Sequence, residues 1–241
     1  MKDRFKKMKT LIKVNSVSKE YEMGTQTVKA ANNLDFTINQ GELVVILGPS
    51  GSGKSTLLNL LGGLDKPTSG EIIIDDENIT AFSDKELTRY RAKEIGFIFQ
   101  FYNLIPNLTA CENIEILNDI VDENIDGKAI LTQVGLSKHV NKFPSELSGG
   151  EQQRVSIARA IAKKPKMLLC DEPTGALDSH TGKLIIELLV DLCKSENTTV
   201  IIVTHNNEFA KVANKVIHIK NGEVEFIETN ENPQAVDAIN W

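Results

Sequence analysis

The sequence lacks the features that would place the chain within a membrane or outside the cell. No run of apolar residues approaches the roughly 20 that a membrane-spanning helix needs. The basic segment 1–9 is not followed by the apolar stretch of a signal peptide. The cysteines Cys111, Cys170 and Cys193 are odd in number and lack metal-like spacing, which predicts reduced thiols. We therefore expect a cytoplasmic protein that reaches a membrane only through a partner.

An excess of positive charge is also absent. The chain has 27 Lys and Arg residues against 33 Asp and Glu residues, for a formal net charge of −6. It therefore lacks the basic footprint of a nucleic-acid-binding protein. It also lacks internal repeats and low-complexity segments. Its 241 residues, 41% of them hydrophobic, suffice for one large domain or for a domain with a subdomain.

One glycine-rich stretch fits the pattern G-x-x-x-x-G-K-[ST] of a phosphate-binding loop. We call it the phosphate loop; it comprises Gly48, Pro49, Ser50, Gly51, Ser52, Gly53, Lys54 and Ser55, with Thr56 directly behind. An apolar run at 43–47 reads as a buried strand, and 56–61 reads as a helix. This context favours a phosphate site over an ordinary Gly/Ser loop, because backbone N–H groups and the helix N-terminus attract anions. Lys54 would reach the phosphates, and the Ser55 hydroxyl would hold Mg²⁺.

A second helix start also has the character of an anion site. We call residues 148–152 the signature segment; they are Ser148, Gly149, Gly150, Glu151 and Gln152. Ser148 and Glu151 form a capping box, and the two glycines leave backbone N–H groups exposed. A plain helix cap is the alternative interpretation.

Polar residues follow several predicted strands. The apolar strand at 167–170 leads to Asp171 and Glu172, the strand at 198–203 leads to His205, and another strand ends at Gln100. A carboxylate near the phosphate loop can hold Mg²⁺, and its neighbour can polarise a water for attack on a γ-phosphate. Solvated acids and a structural histidine are the alternatives. Ligands of α/β folds bind at the carboxyl ends of parallel strands, which favours the functional interpretation.

The predicted fold class is α/β. We expect an α/β core with a β subdomain from 11–81 and 166–228, interrupted by a helical subdomain at 82–165. Segments 1–10 and 229–241 read as tails, and Asn221-Gly222 predicts a hairpin. Tyr21 lies in the β region, where it is either a core residue or a ring that stacks on a nucleotide base.

The order of these parts resembles the ATP-binding subunit of ABC transporters from about residue 11 to residue 226. The resemblance identifies 48–55 as the Walker A loop, 147–154 as the signature motif and Asp171 as the end of Walker B. It implies a P-loop NTPase core of the RecA-like type, with an N-terminal antiparallel β subdomain and an inserted helical subdomain.

The resemblance also implies residue roles. Glu172, His205, Gln100 and Lys54 would be catalytic, and Mg²⁺ would be held by Ser55, Gln100 and Asp171. ATP would be bound by Tyr21, the phosphate loop and Thr56, and by the signature segment and Asp178 of a second copy. The expected assembly is a head-to-tail homodimer with ATP at its interface.

The amino-acid sequence around Gln100 is similar to that of the macrolide-export, lipoprotein-release and FtsE-like group (MacB/LolD/FtsE-like). That group implies an integral membrane permease of FtsX/MacB type and a peripheral location on the cytoplasmic face of the membrane. The implied task is export or extraction of peptide, antibiotic or lipid-linked cargo. The alternative is FtsE-like mechanotransmission to extracytoplasmic machinery without transport.

Two other classes of the superfamily fit the sequence less well. Chromosome-structuring ATPases interrupt the core with a long coiled coil, but the stretch between Gln100 and Ser148 has no heptad run. Ribosome-acting factors carry two cassettes in one chain, and this chain has one. The acidic charge disfavours both classes, so we expect no nucleic-acid partner.

Overall fold

The computed structural model describes residues 9–121 and 124–239. Their strands form a four-stranded sheet of order β2-β1-β4-β5 and a six-stranded sheet of order β10-β9-β3-β8-β7-β6. The strands are β1 (Thr10–Met23), β2 (Gln26–Asn39), β3 (Leu43–Leu47), β4 (Ser69–Ile74), β5 (Glu77–Asn78), β6 (Ile95–Ile98), β7 (Met167–Asp171), β8 (Thr199–Thr204), β9 (Lys215–Lys220) and β10 (Glu223–Thr229). The α-helices are α1 (Lys54–Leu61), α2 (Asp84–Glu94), α3 (Ala110–Glu115), α4 (Asn118–Val121), α5 (Gly127–Gln133), α6 (Gly149–Ile161) and α7 (Ser179–Glu196).

The central strands of the six-stranded sheet, β3, β8 and β7, are buried on both faces. Strand β3 is buried at every position, and its side chains alternate between two hydrophobic clusters. Val44 and Ile46 pack in the cluster that contains α1 and the four-stranded sheet. Leu43, Val45 and Leu47 pack with α7 on the opposite face. A strand covered on both faces needs a continuous apolar run, which is the pattern at 43–47.

The antiparallel sheet has longer strands than the sequence pattern suggests. The sequence predicts separate short strands within 11–38, but β1 and β2 each run without a break for 14 residues. The interruptions are shifts in the β1–β2 register. Ser16 and Asn33 stand in the left-handed region at φ 48° and 49°, as residues in β-bulges can. A bulge and a turn look alike in sequence, because both interrupt the two-residue alternation.

The helical region has its own hydrophobic cluster, built from residues between 104 and 162 together with Leu188 of α7. The expected start of this region at residue 82 is too early. Strand β6 pairs in parallel with β7 in the main sheet, and Tyr90 of α2 donates a hydrogen bond to the Leu61 carbonyl oxygen at 2.8 Å. The layer that a short strand joins depends on its distant partner, which local pattern does not reveal.

The carboxyl-terminal segment also differs from expectation. The sequence predicts a tail from residue 229, but Val236 and Ile239 are buried in the cluster that contains α7. Asp237 accepts a hydrogen bond from Lys183 of α7. Two apolar side chains in a polar segment gave too weak a pattern to predict this packing. At the other end Thr10 already belongs to β1, and residues 1–8 lie outside the described part of the chain.

Across residues 9–121 and 124–239, the helices are all too short or too polar to cross a bilayer.

The two faces of α7 lead to a stability prediction. Leu189 is fully buried, whereas Leu184 on the same helix is 41% exposed. We expect Leu189→Ala to lower the free energy of unfolding by about 2–5 kcal/mol, because it leaves a cavity beneath the sheet. The matched Leu184→Ala change should cost less than about 1 kcal/mol. Urea unfolding of both variants measures the difference, and equal losses would contradict this orientation of α7.

Candidate active site

Side chains from distant parts of the sequence meet in one cavity at the carboxyl ends of β3, β7 and β8. The cavity has a volume of about 570 Å³. The residues lining it that the sequence had singled out are Ser50, Gly51, Lys54, Ser55, Gln100, Asp171, Glu172 and His205. Because β3, β8 and β7 are parallel neighbours, the residues that follow them lie at one edge of the sheet.

Two positions of the phosphate loop, Gly48 and Gly53, have no room for a side chain. At Gly53, φ is 102° and a Cβ atom would lie 2.1 Å from the Ala30 carbonyl oxygen. Gly53 is also the N-cap of α1, and no side chain caps that helix start. Lys54 Nζ donates to the carbonyl oxygens of Gly48 and Pro49, at 2.8 and 3.0 Å. Free N–H donors beside an ammonium group suit a phosphate.

A hydrogen bond joins the phosphate loop to the β9–β10 hairpin. The Gly222 N–H donates to the Ser52 carbonyl oxygen at 2.9 Å, and the Asn32 N–H donates to the Gly222 carbonyl oxygen at 2.8 Å. Ser52 is buried and Thr56 is half-buried in the first turn of α1. These contacts hold the loop between the two sheets.

Ser55 and Asp171 offer oxygen atoms for a metal ion. The Ser55 hydroxyl donates to Asp171 Oδ1 at 3.4 Å. Burial raises the pKa of Asp171, and the neighbouring Glu172 acts in the same direction, while Ser55 and Lys54 oppose the shift. Within the described part of the chain no group of three or more His, Cys, Asp or Glu residues forms a metal site. A hydroxyl and one carboxylate fit Mg²⁺, which commonly takes its other ligands from water and phosphates.

The Glu172 carboxylate is held at both of its oxygens. The Thr204 hydroxyl donates to Oε2 at 2.9 Å, and the His205 backbone N–H donates to Oε1 at 3.0 Å. His205 Nδ1 lies 2.7 Å from the same Oε1. The Glu172 side chain is 19% exposed and that of His205 is 71% exposed. The carboxylate therefore faces the cavity in a fixed orientation, as a general base requires.

The backbone at Glu172 is unusual for a residue other than glycine. Its φ is 46°, in the left-handed region, a conformation that costs about 1–3 kcal/mol. The Glu172 N–H donates to the Val203 carbonyl oxygen at 2.9 Å, and the Gly175 N–H donates to the Glu172 carbonyl oxygen at 3.0 Å. These bonds hold the strained conformation in place.

Gln100 lies against the loop that follows Glu172. A Cβ atom on Gly175 would approach Gln100 Nε2 to 3.0 Å, so a glycine allows the two segments to touch. Gln100 lines the cavity together with Asp171 and Glu172. Its side chain therefore belongs to the same cavity as the two carboxylates.

Tyr21 takes part in a polar cluster beside the phosphate loop. Its hydroxyl donates to Asp65 Oδ2 at 2.7 Å, and Lys19 Nζ donates to Asp65 Oδ1 at 2.7 Å. The Lys19 ammonium lies 4.9 Å from the centre of the tyrosine ring. Burial raises the pKa of the phenol, as does Asp65, and a hydrogen bond with Thr56 opposes the shift. The half-buried ring is thus neither a core side chain nor a lining of the cavity.

The signature segment begins α6 with the predicted capping box. Glu151 Oε2 accepts from the Ser148 N–H at 2.7 Å, and Ser148 Oγ accepts from the Glu151 N–H at 3.4 Å. Hydrogen bonds with the Ser148 N–H and, to a smaller extent, with its hydroxyl lower the pKa of Glu151. His139 Nε2 lies 3.1 Å from Glu151 Oε1. Gln152 Nε2 donates to the Leu147 carbonyl oxygen at 3.0 Å.

The signature segment does not line the cavity around the phosphate loop. Gly150 instead packs on α7, since a Cβ atom there would lie 2.2 Å from Thr181 Cγ2, and Gly149 lies near the Tyr102 hydroxyl. Asp178 caps α7 by accepting from the Thr181 N–H at 3.0 Å and from its hydroxyl at 2.8 Å. Ser179, whose residue type also suits a cap, is instead the first residue of α7. One copy of the chain therefore keeps the two predicted anion sites apart.

Two residues at the site were not singled out by sequence reasoning. Thr204 binds the Glu172 carboxylate, and its position just before His205 was the available signal. Gln153 is a residue of α6 whose side chain is fully buried against the loops at the cavity, and it lies in the same sequence motif as Ser148. Both act through hydrogen bonds to distant segments, which the sequence does not display.

Comparison with known proteins agrees with this geometry. The family model described as "ABC transporter" matches residues 31–175. The putative ABC transporter ATP-binding protein MG065 of Mycoplasma genitalium is 43% identical over 96% of this chain, and the chain spans about half the length of that relative. The macrolide export ATP-binding/permease protein MacB of Escherichia coli is 45% identical over 90% of this chain and 34% of its own length.

A solved structure resembles the whole cassette. It is the dimeric post-hydrolysis state of the ATP-binding cassette MJ0796, bound to ADP and Pi, a protein of Methanocaldococcus jannaschii. The identity is 44%, the TM-score is 0.83, and the match covers 91% of this chain and 98% of that one. The cavity brings together the phosphate loop, the Asp171 carboxylate and the held Glu172 carboxylate. The chain therefore belongs to the ABC transporter family and is one of that family's ATP-binding subunits.

Proposed function

We propose that two copies of the chain bind ATP between them, head to tail. The phosphate loop of one copy would hold the phosphates, and the signature segment and Asp178 of the other copy would close the site. The supporting observation is that the signature segment lies outside the cavity of its own copy, although its helix start is suited to an anion. A nucleotide between two copies uses both anion sites at once.

Hydrolysis then depends on the residues that face the cavity. Glu172 orients and deprotonates a water for in-line attack on the γ-phosphate. Lys54 leaves its loop carbonyls to bind the phosphates, and His205 contacts the γ-phosphate from the other side of the carboxylate. Ser55 and Asp171, with Gln100, would hold Mg²⁺, which neutralises the charge of the phosphate oxygens. The fixed Glu172 carboxylate is the observation that carries this assignment.

The partner we propose is an integral membrane permease of FtsX/MacB type, contacted on the cytoplasmic face. The similarity to MacB, which combines an ATP-binding part and a permease by name, supports this class. Phe101, directly after Gln100, is 74% exposed, an unusual position for a phenylalanine. Opening and closing of the dimer would reach the permease through this region. The task is export or extraction of peptide, antibiotic or lipid-linked cargo.

The first prediction concerns Glu172. Glu172→Gln keeps the shape and most hydrogen bonds of the side chain but removes its basicity. We expect kcat for ATP hydrolysis to fall by about 10²–10⁴-fold, with ATP binding retained and an ATP-dependent dimer accumulating. Steady-state hydrolysis and size-exclusion chromatography with ATP and magnesium measure both effects. Glu77→Gln, an exposed carboxylate on β5, is the matched control. Turnover near the wild-type rate would contradict the role of Glu172.

The second prediction separates the ring of Tyr21 from its hydroxyl. We expect Tyr21→Ala to weaken ATP binding about tenfold, since stacking of a base on an aromatic ring contributes about 1–3 kcal/mol. Tyr21→Phe keeps the ring and loses the bond to Asp65, so its affinity should stay within about twofold of wild type. Titration with a fluorescent ATP analogue measures both. Equal losses in the two variants would assign Tyr21 to the polar cluster instead of the base.

The third prediction concerns the permease. Purification of the tagged chain from native membranes should recover an integral membrane protein of FtsX/MacB type. We expect Phe101→Ser to reduce this recovery severalfold, because it removes exposed apolar surface beside Gln100. Val28→Ser, at a 44% exposed apolar position in the other sheet, should leave recovery unchanged. Recovery of no membrane protein would contradict the proposed partner, and a partner that moves no cargo would favour FtsE-like mechanotransmission.

A further inference from the structure

One buried side chain joins the helix of the signature segment to both loops at the cavity. Gln153 lies in the second turn of α6 and is fully buried. Its Nε2 donates to the Pro173 carbonyl oxygen at 2.7 Å and lies 3.4 Å from the Phe99 carbonyl oxygen. Pro173 directly follows Glu172, and Phe99 directly precedes Gln100. A single amide group thus contacts the segments that carry two of the site residues.

The contact at Pro173 has particular weight because proline has no backbone N–H. Its carbonyl oxygen is the only backbone group at that position able to form a hydrogen bond. The preceding residue, Glu172, is in the left-handed region and depends on its neighbours to stay there. Gln153 therefore supplies the polar anchor for the peptide that follows the strained residue.

Arg159 holds the far end of the Gln100 loop to the same helix. Its guanidinium donates to the Asn103 carbonyl oxygen at 2.9 Å and to the Tyr102 carbonyl oxygen at 3.3 Å. Two side chains of α6 thus bind carbonyl oxygens on both sides of Gln100. Of these two side chains, Gln153 also reaches the loop of Glu172, so it links the two loops through α6.

The Gln153 amide uses its donor side and not its acceptor side. Its Oε1 is buried and has no hydrogen-bond partner among residues 9–121 and 124–239. An apolar replacement of similar length would remove the donor and bring no buried polar group of its own. The buried Pro173 carbonyl oxygen would then lose its partner, so some loss of stability accompanies the loss of the bond, and the test depends on comparing kcat with ATP affinity.

We propose that Gln153 is a positioning residue for hydrolysis. It fixes the Pro173 peptide, and through it the Glu172 carboxylate, relative to the first turn of α6. When a nucleotide engages the signature segment and moves that turn, Gln153 carries the displacement to the base and to the Gln100 loop. This inference rests on the proposed function of Glu172 as the base. It adds that the alignment of the base depends on α6.

The variant that tests this is Gln153→Met, which keeps the length of the side chain and removes its N–H donors. We expect kcat for ATP hydrolysis to fall about tenfold, because small displacements of a catalytic group have large effects on rate. The Kd for ATP should stay within about twofold of wild type, and ATP should still dimerise the Glu172→Gln, Gln153→Met double variant. Gln133→Met, at an exposed position of α5, is the matched control.

A role limited to stabilising the fold gives a different result. In that case the thermal midpoint, the ATP affinity and kcat of Gln153→Met would fall together, and the proposal would be overturned. An unchanged kcat would overturn it as well. Gln153→Asn provides a second test if the methionine variant does not fold. It keeps an amide in the core but is one methylene too short for Pro173, so we expect a low kcat with the ATP affinity preserved.

The Glu172→Gln variant distinguishes failure of this inference from failure of the proposed function. If Glu172→Gln still hydrolyses ATP at the wild-type rate, the assignment of the base is wrong and Gln153 has no base to position. If Glu172→Gln is inactive while Gln153→Met retains full kcat, only the role of Gln153 is refuted. Low kcat in both, with ATP affinity preserved in both, supports the two proposals together.

Discussion

The parallel pairing of β3, β8, β7 and β6 is the constraint on which the site depends. Leu47 pairs with Thr204, Asp171 with Val203, and Ile98 with Cys170. This register brings the phosphate loop, the carboxylate pair and the residues after β6 to one edge, although they are far apart in sequence. The strands are apolar because both faces of the sheet are covered, so burial of the sheet and placement of the site have the same physical origin.

At that edge, the polar groups are positioned mainly by hydrogen bonds from neighbouring segments. Thr204 and the His205 backbone hold the Glu172 carboxylate, and Lys54 is held by carbonyl oxygens of its own loop until a phosphate competes for it. Such an arrangement orders the site before the substrate arrives, which lowers the reorganisation needed for reaction. Separate backbone hydrogen bonds with Val203 and Gly175 hold the left-handed conformation at Glu172.

Helix α6 connects this site to the surface that a second copy would contact. Its first turn is the signature segment, its second turn carries Gln153 and its last turns carry Arg159. The helix also contributes Val155 and Ala158 to the cluster of the helical region. A rigid element that touches both loops and the helical region is suited to couple nucleotide engagement to a partner bound there.

The sequence by itself determined the local structure around the site. The strand and helix on either side of the phosphate loop, the capping box at Ser148, the carboxylates at the end of β7 and the Asn221-Gly222 hairpin are local patterns set by neighbouring residues, and the structure confirms each of them. The tertiary structure decided that β6 joins the main sheet, that β1 and β2 continue through bulges, and that Val236 packs against the core. It also decided which carbonyl oxygens Gln153 meets. The physical reason is that these features depend on contacts between residues distant in the chain, and such contacts produce no recognisable pattern in the local sequence.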